Sequence, residues 1–165
     1  MQRLTVGLAA LALAAFSSPA SAAVSADPIG DLLQSLQAFG AAALRAPEQL
    51  MKATLYHAGA KGVGARDSLG CRVSPMRTLA VDPHVLPRRS VVFIKETVGL
   101  PLPGGGVHDG LWYASDTGGA IKGQRIDLYT GSGARSMRAL MARGLNLKTL
   151  TVTRVSSFQG CPPIS

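Results

Sequence analysis

The sequence predicts a mainly β fold: a small six-stranded barrel preceded by a helical arm, with one helix ahead of the last strand. Three observations lead there. From Ala53 onward apolar residues recur with period 2 rather than 3.6, the spacing of strands whose two faces differ. Six such runs, bounded by Gly and Pro punctuation, fit within about 100 residues, the strand density of a small barrel. The chain beyond its first 22 residues is one ordinary domain in size, enough to bury a core and too short for a second domain.

Residues 1–22 read as a secretory signal peptide. Arg3 precedes an apolar run of about 13 residues, Leu4 to Phe16, and a small-residue flank ends in Ala20-Ser21-Ala22, an A-x-A cleavage pattern. The run is shorter than the roughly 18–20 residues a spanning helix needs, so the mature chain is expected to be periplasmic or secreted. Residues 23–51 are expected to form a helical N-terminal arm. Asp27-Pro28 supplies an N-cap and first helical residue, Leu32, Leu33, Leu36, Phe39 and Ala43 recur at helical spacing, and Pro47 breaks the pattern.

Residues 52–165 then hold the barrel. Its strands are expected at "ATLYHA", "RTLAV", "SVVFIKE", "GLWYAS", "RIDLYT" and "LKTLTVTRV", with an exposed loop from Val98 to Gly110. A helix from Ala134 to Arg143 is closed by Gly144 as its C-terminal cap. A faint internal similarity links Ala80–Ile94 to Ala114–Thr130: both run Ala-x-Asp, turn, strand, at an offset of about 34 residues. The pattern suggests two units related by a pseudo-twofold axis.

The net charge is +8, and the signal segment carries only Arg3 of it. An exported basic protein meets anionic envelope polymers or lipid head groups first. Nucleic acid is not expected as a partner: aromatic residues are 5% of the chain and no Lys/Arg run alternates with stacking residues. Cys71 and Cys161 stand as an isolated pair, which in an oxidising compartment is most simply a disulfide. With no C-x-x-C and no His at ligand spacing, neither a metal site nor a cofactor is expected.

Within "QRIDLYT", alternation sends Ile126 and Leu128 to one face and Arg125, Asp127 and Tyr129 to the other. A strand aspartate needs a reason: a cleft, or a surface pairing with Arg125 or a nearby Lys. Asp116 in "SDTGG" also reads as a turn residue bonding backbone amides, and Asp82 in "VDPH" as a turn initiator.

Taken together, "RTLAVDPHVLPRRSVVFI" and "DTGGAIKGQRIDLYTGSG" resemble the three-aspartate domain at the catalytic end of the membrane-bound lytic transglycosylase A family, found alone in small secreted proteins. The first segment matches A-x-D-P-x-x-[IL]-P-x-x-[ST], and the second the longer D-[TV]-G-G-A-I-K-G-x-x-x-D-[IL]-[YF]-x-G. The similarity covers about Lys52 to Val155 and does not extend to the family's large second domain, which forms the other wall of its glycan groove.

The resemblance implies a double-psi β-barrel and a peptidoglycan lytic transglycosylase. Such an enzyme cleaves the MurNAc-GlcNAc bond of glycan strands and leaves a 1,6-anhydromuramoyl end. It places Asp127 as the catalytic acid, with Asp116 and Asp82 in the other two aspartate positions. Lys122 is then expected to hold Asp116 or to be a solvated turn residue. Gly118 and Gly119 shape a tight turn, and Tyr56 and Tyr129 either stack on sugars or pack the barrel. Arg88, Arg89, Lys122 and Arg125 are the basic residues expected near the groove. An aspartic-protease reading of "DTG" fails on context, since those enzymes have no "AIKG…RIDLY" continuation after the motif. The remaining alternative is a catalytically silent glycan-binding barrel.

Overall fold

The computed structural model describes residues 29–30, 33–34, 37 and 46–163. The expected signal peptide and most of the expected arm lie outside the described residues. Ile29, Gly30, Leu33, Gln34 and Gln37 are helical, and Ile29 and Leu33 are exposed rather than packed on the core.

All six expected strands are present: β1 (Glu48–Ala58), β2 (Thr78–Val81), β3 (Ser90–Ile94), β4 (Leu111–Asp116), β5 (Arg125–Ser132) and β6 (Thr149–Ser157). They close into a barrel in the order β1-β5-β2-β4-β3-β6. The first strand starts at Glu48, four residues before the expected boundary of the arm. Glu48 pairs with Thr153 and Leu50 with Thr151 on β6, so inter-strand bonds override the helical preference of Glu, Gln, Leu and Met. The expected helix over 134–143 divides into a 3-10 turn, Ala134–Met137, and α1 (Arg138–Ala142). Gly144 follows with φ +72°, its N–H bonded to Met141 O, which satisfies a terminal carbonyl as anticipated.

The pairing pattern has an internal symmetry. Exchanging β1 with β4, β2 with β5 and β3 with β6 leaves every neighbour relation unchanged, including the two parallel pairs β1·β5 and β2·β4. This is the symmetry of a double-psi barrel. It also corrects the repeat suggested by the sequence, which equated β2 with β4 and β3 with β5. That exchange would map the parallel pair β1·β5 onto the antiparallel pair β6·β3. The shared Ala-x-Asp pattern instead marks two adjacent parallel strands that finish at the same end of the barrel.

Inward residues from every strand form the core: Met51, Leu79, Val92, Trp112, Leu128 and Val152 are at most 1% exposed. Burying each such side chain contributes about 1.5–3 kcal/mol. Trp112 is a core residue, its indole N–H donating to Thr97 Oγ1 at 3.0 Å. His108, inside the loop expected to be exposed, is buried and stacks on that indole with centroids 4.9 Å apart. Its Nδ1 accepts from Gly110 N–H and its Nε2 faces Met76 O, the pattern of a neutral ring donating from Nε2. Burial pulls its pKa down.

The expected disulfide is present between Cys71 and Cys161. It ties the long connection from β1 to β2 to the C-terminal tail. Arg89 reinforces that tail by donating to Gly160 O at 2.6 Å.

Candidate active site

Three adjacent strands set the site. On β2, Ala80 lies opposite Asp127 of β5 on one side and Asp116 of β4 on the other. Asp116 reaches that level because the β2·β4 register slips between Leu79 and Ala80, leaving Ser115 as an extra, bulged residue. At about 4.8 Å per strand spacing, the two aspartate backbones stand roughly 10 Å apart with only a methyl group between them. Thr54 of β1 faces Asp127 from its other side.

Burial follows the alternation read from the sequence. Ile126 and Leu128 are fully buried, Arg125 is exposed, and Asp127 is half-buried. Burial is the main force on the Asp127 carboxyl and raises its pKa to about 6; the Asp116 charge adds to this, while Thr54 and Arg125 pull the other way. Its Oδ1 has no hydrogen-bond partner among the described residues.

Asp116 is the opposite case. Its Oδ2 accepts from the Tyr56 hydroxyl at 3.0 Å, and its Oδ1 accepts from the backbone N–H groups of Ser68 and Thr117 at 3.0 and 2.8 Å. Tyr56 leans on Tyr129 with ring centroids 5.1 Å apart. Burial, followed by the Asp116 charge, holds the Tyr56 phenol pKa far above its ordinary value, so it remains a donor.

Asp82 follows β2 and has both oxygens on backbone: Oδ1 accepts from His84 N–H at 3.0 Å and Oδ2 from Gly123 N–H at 2.8 Å. Those two bonds, Gly123 first, lower its pKa, and Lys122 adds to the effect. Asp82 thus clamps the loop of residues 117–124. Within that loop Ile121 N–H bonds Gly118 O, and a Cβ on Gly118 would meet Ile121 Cγ1 at 2.9 Å. Gly119 faces open space. Gly123 has φ +64°, which favours glycine.

Of the two roles expected for Lys122, the structure matches the exposed turn residue, and its charge helps to lower the Asp82 pKa; the hydrogen-bond partners of Asp116 are Tyr56, Ser68 and Thr117. Tyr129 is only 3% exposed and presents no ring face for a sugar, so it packs the barrel. Arg89 belongs to the tail, while Arg88 donates to Ser68 O at 3.3 Å at the rim of the site. Ser68 was missed altogether. Its N–H holds Asp116 and its hydroxyl donates to Ser115 O at 3.0 Å. Its only sequence signal is the turn-forming "DSLGC", where Asp67 Oδ1 accepts from Leu69 and Cys71 N–H. Among the described residues there is no group of three or more His, Cys, Asp or Glu placed to hold a metal ion.

Chemically, the arrangement offers one free, partly buried carboxyl and two others consumed by backbone and phenol donors. The model of the 3D domain family matches residues 77–151. No curated protein matches the chain. Among solved structures it is similar to E. coli MltA with bound chitohexaose, at 20% identity and a TM-score of 0.41 over 59% of this chain and 29% of that one. It is also similar to the lytic transglycosylase LtgG of Burkholderia pseudomallei, at 27% identity and 0.38 over 58% and 28%. A third is the membrane-bound lytic murein transglycosylase of Agrobacterium tumefaciens, at 26% and 0.40 over 55% and 25%. The chain spans less than a third of the length of these proteins.

Proposed function

We propose, from the premise that residues 77–151 of this chain are a 3D domain, that it is an exported peptidoglycan lytic transglycosylase with Asp127 as its acid. The observation that carries this reading is the inequality of the three carboxyls. Asp127 alone has an oxygen without a partner and a pKa raised to about 6, while Asp116 and Asp82 are fully engaged. A hydrolytic glycosidase needs a second free carboxyl as base or nucleophile. A lytic transglycosylase needs one.

In the mechanism, protonated Asp127 donates to the glycosidic oxygen between MurNAc and GlcNAc as the bond breaks. The carboxylate left behind takes the proton from the C6 hydroxyl of the same muramoyl residue, whose O6 closes on C1. The product is the 1,6-anhydro ring, and no water is activated. Burial is what chiefly favours the protonated form of Asp127, and the negative charge of Asp116, held by Tyr56 and Ser68, adds to it. Asp82 positions the loop bearing Gly118, Gly119 and Lys122, and Arg125 and Lys122 offer charge at the mouth. The signal-like residues 1–22 direct the chain to the periplasm or the exterior, where this polymer lies.

Purified sacculi incubated with the protein test the reading. Soluble anhydro-muropeptides in the wild-type digest support it. Protein retained on sacculi without any such product would favour a silent glycan-binding barrel.

A further inference from the structure

The face of β5 that carries Asp127 continues beyond it. Alternation puts Asp127 and Tyr129 on one side of the strand, and the bulge after Tyr129 brings Ser132 to that side as well, level with Ala58 of β1; the line from Asp127 to Ser132 matches Thr54 to Ala58, roughly 13 Å at about 3.3 Å per residue. Tyr129 lies beneath a groove of about 420 Å3 bordered by Arg72. Gly131 lies beneath a second of about 540 Å3, bordered by Leu102, Arg135 and Arg138. Pro75 and Ser132 line both, so the grooves form one trough leading away from the carboxylates.

The trough is charged with one sign. Arg72, Arg135 and Arg138 are exposed, none makes an ion pair among the described residues, and no acidic residue lines either groove. Arg72 is held in place by its chain neighbours. It follows Cys71, which is disulfide-bonded to Cys161 and donates its N–H to Asp67 Oδ1 at 2.8 Å. A neutral sugar chain gains little from a row of guanidiniums, whereas carboxylates pair with them through charge-assisted bonds. Leu102 in the wall of the second groove suits aliphatic side chains.

We propose that this trough binds an acidic peptide, the stem carried by the muramoyl residue next to the scissile bond, with Arg72, Arg135 and Arg138 receiving its carboxylates. The assignment rests on Asp127 marking the cleavage point.

Binding is measured in the Asp127→Asn protein, so that strands stay intact, using soluble glycan strands that carry peptide stems and the same strands stripped by an amidase. Peptide-bearing strands should bind about tenfold tighter, the factor expected of charge-assisted contacts at partly exposed sites. Arg72→Gln and Arg138→Gln should each remove most of that advantage and leave affinity for stripped strands unchanged. Equal affinity for the two strands, or substitutions that weaken both alike, would overturn the proposal. Anhydro-muropeptide release by the wild-type protein is scored separately. If the affinity difference stands and release is absent, the peptide trough is upheld and the catalytic reading fails.

Discussion

Replacing Asp127 by Asn should make the protein more stable at neutral pH, and the structure indicates by how much. The carboxyl is raised from 3.8 to about 6, chiefly by burial. Two units at 1.36 kcal/mol each correspond to roughly 3 kcal/mol, which partial solvent access reduces to about 1–2 kcal/mol. The sign follows from linkage. Between about pH 4 and 6 the folded state holds a proton that the unfolded state has released, so stability falls as pH rises through that window. The whole penalty is present above pH 6, and Asn does not carry it.

Urea unfolding of both proteins at pH 4 and pH 7.5 measures this as a difference of differences, which cancels any packing change made by the amide itself. The Asn variant should gain about 1–2 kcal/mol relative to wild type on going from pH 4 to 7.5. A variant that loses stability relative to wild type at pH 7.5, or a difference independent of pH, would refute the claim that burial holds this acid protonated.

Other consequences can be measured on the same protein. In the wild type, kcat/KM on soluble glycan strands should fall as pH rises through about 6, because the free enzyme must hold the Asp127 proton; a profile flat from pH 5 to 8 would contradict this. Removing the disulfide with Cys71→Ser and Cys161→Ser opens a loop of 90 residues and should cost about 4 kcal/mol in urea unfolding. Activity should also drop while the variant is still folded, because Ser68, three residues from Cys71, holds Asp116; unchanged activity would mean this contact is dispensable. Gly110→Ala should destabilise by about 3 kcal/mol, since φ is +88° and the new Cβ would stand 2.5 Å from the Phe93 ring. A loss within a few tenths of a kcal/mol would show that this turn adapts.

Strand β4 and the first half of β5 were legible because buried and less buried residues alternate there, which writes period 2 into the residues, whereas β2 and β3, buried along nearly their whole length, were marked by short apolar runs between Gly and Pro. Asp127 was legible for the same reason: its neighbours Ile126 and Leu128 reveal the face it avoids. Asp116 was visible as a residue but not as a position, because the bulge at Ser115 that sets it beside Ala80 arises from pairing with a distant strand. The start of β1 was hidden because "EQLM" has helical propensity and only its partner on β6 makes it a strand. Ser68 and Arg72 sit in an aperiodic connection whose shape comes from a disulfide to residue 161 and from bonds to Asp67 and Asp116. Such residues leave no local pattern to read. His108 was likewise concealed in a glycine-rich loop, although its ring completes the core against Trp112.

The central claim is that Asp127 is the one acid of a water-independent glycan cleavage. Mass spectrometry of soluble products from sacculi, treated with wild-type and Asp127→Asn protein at pH 5.5, tests it most directly. The account predicts muropeptides one water lighter than hydrolytic products from the wild type, and none from a folded Asn variant that still binds glycan. Equal release by both proteins, or wild-type products with ordinary reducing ends, would contradict it.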